Sequence, residues 1–164
     1  MNEENKILSI LQSVPDPEIP VLSVIDLGIV RSINIVNTGK KVEITVTPTY
    51  SGCPAMDVIT INIRMALLKS GYKEIVISKA LAPAWTTDWM TETGKQKLKA
   101  YGIAPPAAHR QSDPSAMFAE QPAVQCPQCN SFNTTIISEF GSTACKALYR
   151  CNDCGEPFDH FKCH

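Results

Sequence analysis

The chain has 164 residues, 44% of them hydrophobic and 19% charged, with a formal net charge of −1. This balance fits a compact fold of one domain plus a small module, and it excludes a basic chain that grips nucleic acid through net charge. No apolar run approaches the roughly 18 residues of a membrane span, and Met1-Asn-Glu-Glu-Asn-Lys6 sets no apolar core behind a basic segment. A reducing cytoplasm is therefore the expected compartment, with no membrane partner.

Ile7, Leu8, Leu11 and Val14 recur at helical spacing until Pro15 and Pro17 stop the segment, which predicts a short amphipathic helix. Two strands are expected next, 29–36 and 41–47, joined by the turn sequence Asn37-Thr-Gly-Lys40. In the second, Val42, Ile44 and Val46 alternate with Lys41, Glu43 and Thr45, so one face is buried and the other wet. Pro54 suits the first turn of a second helix, whose buried face carries Ala55, Ile59, Ile63, Ala66 and Leu67 until Gly71 ends it. A third strand is expected at 75–78. Trp85-Thr-Thr-Asp-Trp-Met90 reads as the opening of another helix, with Thr87 or Asp88 as cap and Gly102 as terminator. Trp85 and Trp89 are core or interface anchors in this reading.

Residues 104–122 contain four prolines, several small residues and no hydrophobic periodicity. They read as a linker between a domain at 1–103 and a module at 123–164. Met117 and Phe118 within it either touch the surface or dock on a neighbour, and His109 is expected to be solvated.

The module carries two cysteine pairs, Cys126-Pro-Gln-Cys129 and Cys151-Asn-Asp-Cys154, separated by 21 residues. A two-residue gap lets one tight turn aim two thiolates at a single ion, and a β-hairpin between the pairs brings both turns together. Cys126, Cys129, Cys151 and Cys154 are thus the candidate ligands of a structural Zn2+ site. A disulfide framework is the weaker reading, because seven cysteines cannot all pair within one chain and a reducing compartment opposes disulfides. Four thiolates also accept iron, which would make the chain an electron-transfer protein. A zinc ribbon can also serve a nucleic-acid-binding regulator. Against that, the chain beyond Ile103 has four basic and six acidic side chains, so no nucleic-acid partner is expected. Phe132, Ile136, Ile137, Leu148 and Tyr149 are the expected core of the hairpin. Cys145, Cys163, His160 and His164 read as alternate ligands or as ordinary buried or surface residues. The expected fold class is α+β: a small sheet with helices on one side, followed by a C-terminal zinc ribbon.

Three stretches of the N-terminal part look unlike mere scaffolding. Val14-Pro-Asp-Pro-Glu-Ile-Pro20 holds Asp16 and Glu18 on a backbone stiffened by three prolines, either as a rigid turn with a capping acid or as part of a site. Asp26 interrupts the apolar run Ser23-Val-Ile-Asp-Leu-Gly-Ile-Val30, as a turn cap or a support for the site. Thr47-Pro-Thr-Tyr-Ser-Gly-Cys-Pro-Ala55 joins a strand to a helix and puts Cys53 at the helix N-terminus, where unpaired N–H groups favour thiolate. Such a sulfur is a nucleophile or soft-metal ligand, or else a small buried residue at a turn.

Together these stretches, over residues 5–80, resemble the small iron–sulfur assembly factors marked by an Asp-Pro-Glu motif, here Asp16-Pro17-Glu18. The resemblance implies a cluster-handling role for Cys53, with the acidic motif carried by Asp16 and Glu18. A resemblance over nearly the whole chain adds Ala84-Trp-Thr-Thr-Asp-Trp89, Tyr101-Gly-Ile-Ala-Pro-Pro106, Phe140-Gly-Ser-Thr143 and Cys145-Lys-Ala-Leu-Tyr-Arg-Cys151. Through these the chain is similar to the D-type components of the bacterial phenylacetyl-CoA epoxidase system. That implies an accessory role in aerobic phenylacetate degradation, assisting the iron–sulfur or di-iron centre of a reductase or oxygenase component. No Glu-x-x-His pair and no Gly-rich dinucleotide fingerprint occurs, so no catalytic activity of its own is expected. A transient iron–sulfur cluster on Cys53 would need further thiolates, from a client or from a second copy in a homodimer.

Overall fold

The structure, a computed structural model, describes residues 2–36, 41–106 and 123–162. Its contacts divide the chain into two units, Met1–Gly94 and Lys95–His164. This division falls earlier than the composition change after Ile103, because residues 103–104 already pair within the second unit's sheet. Within the described residues no helix is long and apolar enough to cross a membrane.

The first unit opens with helix α1, Glu3–Gln12, which buries Ile7 and Leu11. Strands β1, Val30–Val36, and β2, Lys41–Val46, pair antiparallel, while the turn expected at 37–40 lies outside the described residues. Helix α2, Ala55–Lys69, then crosses to β3, Glu74–Lys79, which pairs parallel with β2. A parallel neighbour demands such a crossover, and this one fixes the loop that leads into α2. The alternation expected for β2 is present, with Val42, Ile44 and Val46 buried. They share the core with Ile59, Ile63 and Leu67 of α2.

The helix expected to open at 85–90 begins later. Trp85 and its neighbours form an extended segment and a single 3-10 turn, Thr87–Trp89, and helix α3 spans Glu92–Ala100. Thr91 supplies the cap, its hydroxyl accepting the Gly94 N–H at 2.9 Å. Thr87 and Asp88 lose that role because the chain before Thr91 is held by Asp26, whose carbonyl accepts the Thr91 N–H at 3.0 Å. Trp85 is buried, and its indole N–H donates to the Leu27 carbonyl at 2.9 Å. Trp89 packs beneath the Arg31 guanidinium, 3.5 Å from the ring centroid. Both tryptophans therefore serve as anchors.

Asp26 settles as a structural residue. Its carboxylate accepts the Ser23 N–H at 3.0 Å and the Gln12 amide at 3.2 Å, and Thr91 Oγ1 donates to it at 3.3 Å. It joins α1, its own turn and the start of α3.

The second unit is a four-stranded sheet in the order β4-β7-β6-β5, with β4 at Ile103–Ala104, β5 at Thr134–Ser138, β6 at Lys146–Cys151 and β7 at Pro157–Phe161. Its core differs from the one expected. Ala104, Val124, Ala147, Tyr149 and Phe158 pack around buried Cys126 and Cys151. Phe132 and Ile137 are instead 60% and 55% exposed, and Ile136 is exposed too. Residues on β5 have one strand neighbour, whereas those on β6 and β7 are covered from both sides.

Gly28 meets the core from a left-handed backbone, φ +67°, and a Cβ there would lie 2.0 Å from the Trp89 carbonyl oxygen. Gly28→Ala is expected to destabilise the first unit by more than about 2 kcal/mol in urea unfolding.

Candidate metal centre and thiol site

The two cysteine pairs fold as near copies of one another. In the first, Cys126 N–H donates to the Ser131 carbonyl at 2.8 Å and Asn130 N–H donates to the Cys126 carbonyl at 2.9 Å. In the second, Cys151 N–H donates to the Glu156 carbonyl at 2.9 Å and Gly155 N–H donates to the Cys151 carbonyl at 3.0 Å. Asn130 and Gly155, each directly after its pair, take positive φ values of 62° and 79°. Asparagine and glycine are the residue types that tolerate this conformation. Their placement was readable in the sequence.

The four sulfurs converge within 4.8 Å of one another. Cys126 Sγ lies 3.8 Å from Cys154 Sγ, and Cys129 Sγ lies 3.5 Å from Cys151 Sγ. These are not disulfide separations. A tetrahedron with metal–sulfur bonds of about 2.3 Å has sulfur–sulfur edges of about 3.8 Å, so the donor set fits a closed tetrathiolate site. The backbone amides of Cys154 and Asp153 hold the Cys151 thiol down to about 7. At Cys129 the Ser131 amide pulls the same way, but sulfur–sulfur hydrogen bonding and burial prevail and push it up to about 12.

A polar clasp that spacing did not reveal joins the turns. Asn133 Nδ2 donates to Asp153 Oδ1 at 2.7 Å, Ser131 Oγ bonds the same carboxylate, and Asn152 N–H donates to the Asn133 carbonyl at 2.8 Å. The Ser131 and Asn133 bonds hold the Asp153 carboxyl below its ordinary value. Cys145 is buried away from the quartet, its sulfur 3.1 Å from Thr143 Oγ1, and His160 packs edge-on to Tyr149. Cys163, His164, His109, Met117 and Phe118 lie outside the described residues.

In the first unit, Cys53 precedes α2 as expected. Its N–H donates to the Tyr50 carbonyl at 3.3 Å, its carbonyl accepts the Met56 N–H at 3.2 Å, and Pro54 follows with φ −68°. The side chain is half-buried rather than sealed. Asp16 is buried, and its carboxylate accepts the Glu18 and Ile19 amides at 2.9 and 2.7 Å. It shapes the loop that presents half-buried Glu18. Cys53, Asp16 and Glu18 do not belong to the converging sulfur group.

A crossover α+β unit with a lone accessible thiol, followed by a tetrathiolate ribbon, is the architecture of an iron–sulfur-assembly-type domain fused to a zinc ribbon. Residues 4–75 match the iron–sulfur cluster assembly protein family, and residues 110–162 match the PaaD zinc beta ribbon domain. A crystal structure of a domain of unknown function, DUF59, from Bacillus anthracis superposes with a TM-score of 0.54 at 28% identity, covering 58% of this chain and 90% of that one. An Fe-S protein maturation auxiliary factor of Porphyromonas gingivalis is 35% identical over 60% of this chain and 92% of its own length. An Escherichia coli protein named as a candidate D-type component of 1,2-phenylacetyl-CoA epoxidase is 51% identical over 97% of this chain and 92% of its own. The chain belongs to the PaaD family, the D-type components of this epoxidase.

Cys151→Ser is expected to abolish metal binding and unfold the ribbon, since ligation contributes on the order of 10 kcal/mol to such modules. Loss of the second unit's strand signals by NMR, with the first unit's retained, is the readout. Burial, aided by the Lys162 charge, lowers His160 from 6.5 to about 4. Its depressed pKa contributes stability that is present above 6.5 and lost as pH falls toward 4. His160→Leu should flatten the acid limb of the stability profile, and the imidazole NMR titration should midpoint near 4.

Proposed function

We propose that the chain is an accessory factor of the phenylacetyl-CoA epoxidase system in aerobic phenylacetate degradation. In this role it assists assembly of an iron–sulfur or di-iron centre in a partner protein of that system, in the cytoplasm, without catalysing a reaction itself. The observation that carries this reading is the half-buried Cys53 at the entrance of α2. The sulfur is held by a defined turn, is open to a visitor, and stands at a helix entrance, the kind of position from which reactive cysteines act. Iron–sulfur clusters normally take four ligands, so Cys53 shares its cargo with a client cysteine or with Cys53 of a second copy, and the shared site is labile. Asp16 fixes the loop through its two amide bonds, and Glu18 contributes the carboxylate that meets the client. Cys126, Cys129, Cys151 and Cys154 hold Zn2+, which stabilises the ribbon and leaves the redox chemistry to the partner.

Co-expression with the iron–sulfur reductase component tests this. Cys53→Ser should lower the reductase's iron and acid-labile sulfide several-fold while the variant keeps its zinc and its circular dichroism. Unchanged cluster content would remove Cys53 from the role. Glu18→Gln should give a smaller loss with the fold intact, whereas Asp16→Ala should cost about 1–2 kcal/mol of stability through its two unmade bonds.

A further inference from the structure

The second unit's sheet carries a cleft that neither metal binding nor thiol chemistry uses. Ala147 and Tyr149 alternate along β6, Ile136 stands opposite Tyr149 on β5, and His160 stands opposite Ala147 on β7, so the four side chains share one face of the sheet. They floor a cleft of about 500 Å³, with Phe132 and Pro105 on its walls. A hollow of this size, apolar on most sides, suits a small molecule. Its few polar groups lack protein partners. Tyr149 is buried, stacked on Phe158 and met edge-on by His160, yet its hydroxyl and the His160 ring nitrogens make no hydrogen bond among the described residues. The hydroxyl is not sealed in protein, since Thr47 Oγ1 is the one fully buried side-chain oxygen or nitrogen left unbonded among those residues, and so it opens to the cleft that Tyr149 lines. Lys99 and Lys162 border the cleft, and neither is ion-paired among the described residues; the Lys162 ammonium rests 4.6 Å from the centroid of the Phe140 ring. Glu139 is the one acid on the described lining, and burial keeps His160 neutral at pH 7.

We propose that this cleft binds a small aromatic carboxylic acid, its ring against Phe132 and Tyr149 and its carboxylate accepting bonds from the Tyr149 hydroxyl and His160 while facing Lys99 and Lys162. Two unpaired cations against one acid select an anion over a cation or a neutral molecule. A phenol and a neutral imidazole each have one proton to donate, and an ionised carboxylate accepts at both oxygens, so the acid supplies the bonds that the protein leaves unmade. The aromatic character follows from the walls, because a flat ring gains contact energy against Phe132 and Tyr149 beyond the area that it buries. The 60% exposure of Phe132 is then the open side of a binding site. The site goes beyond the maturation role and does not rest on Cys53.

The test titrates the full zinc-loaded chain with phenylacetate, with its uncharged amide and with hexanoate, followed by NMR. Phenylacetate should saturate, with shifts centred on Tyr149, His160 and Lys162, and should bind at least tenfold tighter than the amide and at least threefold tighter than hexanoate. Tyr149→Phe and Lys162→Gln should each weaken it at least fivefold at unchanged zinc content and circular dichroism; Lys162 is the safer of the two, since its change leaves the buried cluster intact. No saturation, equal binding of acid and amide, or shifts centred elsewhere would overturn the proposal. So would tighter binding of the peptide Gly-Gly-Phe than of phenylacetate, which would assign the cleft to a protein terminus, or contacts from Met117 or Phe118 to Tyr149 in the free chain, which would make the chain its own occupant.

Discussion

Four sulfurs brought within 4.8 Å of one another form the constraint on which the second unit depends. Ionised together, each close pair would repel by roughly 4–5 kcal/mol at an effective dielectric of 20. A divalent cation held by the four thiolates would offset that repulsion and draw the two turns together. Two of the sulfurs, on Cys126 and Cys151, are also buried members of the apolar cluster with Ala104, Val124 and Phe158. Metal ligation and hydrophobic packing therefore stand or fall together, as expected for a sheet with so few large buried side chains.

The first unit is ordered by its chain path and its hydrogen bonds. Its crossover from β2 through α2 to β3 fixes the entrance of α2, and the Asp26 hydrogen bonds tie α1 and the start of α3 to the turn at 23–26. Cys53 stands on this rigid frame with its side chain half-buried. The same element type, cysteine at a tight turn, thus appears twice in different settings: four sulfurs converge on one point in the ribbon, and Cys53 at the helix entrance lies outside that group.

Much of this was legible from spacing alone. The period-2 pattern of Val42, Ile44 and Val46 and the period-3.6 pattern of Ile59, Ile63 and Leu67 reported their own burial, because a strand and a helix present those faces whatever they pack against. The two Cys-x-x-Cys pairs reported their own convergence for a similar local reason. What was lost depends on distant partners. Trp85 reads as helix-opening until its indole is seen bonded to Leu27, and Thr91 reads as unremarkable until Asp26 holds it. Phe132, Ile136 and Ile137 looked like core because they are apolar, and only the strand order shows that they lie at an edge. The Asp153 clasp of the metal turns left no pattern at all, since Asp153 lies within the second pair while its partners, Ser131 and Asn133, follow the first.

The division of labour between the two kinds of sulfur is tested most directly by metal and sulfide analysis of anaerobically purified wild type, Cys53→Ser and Cys129→Ser. One zinc per chain should survive in the first two and disappear only in Cys129→Ser, while any iron and sulfide should depend on Cys53 alone. Iron lost with Cys129 and unaffected by Cys53 would contradict the account, because the tail quartet would then be the redox centre and the thiol at the helix entrance a bystander.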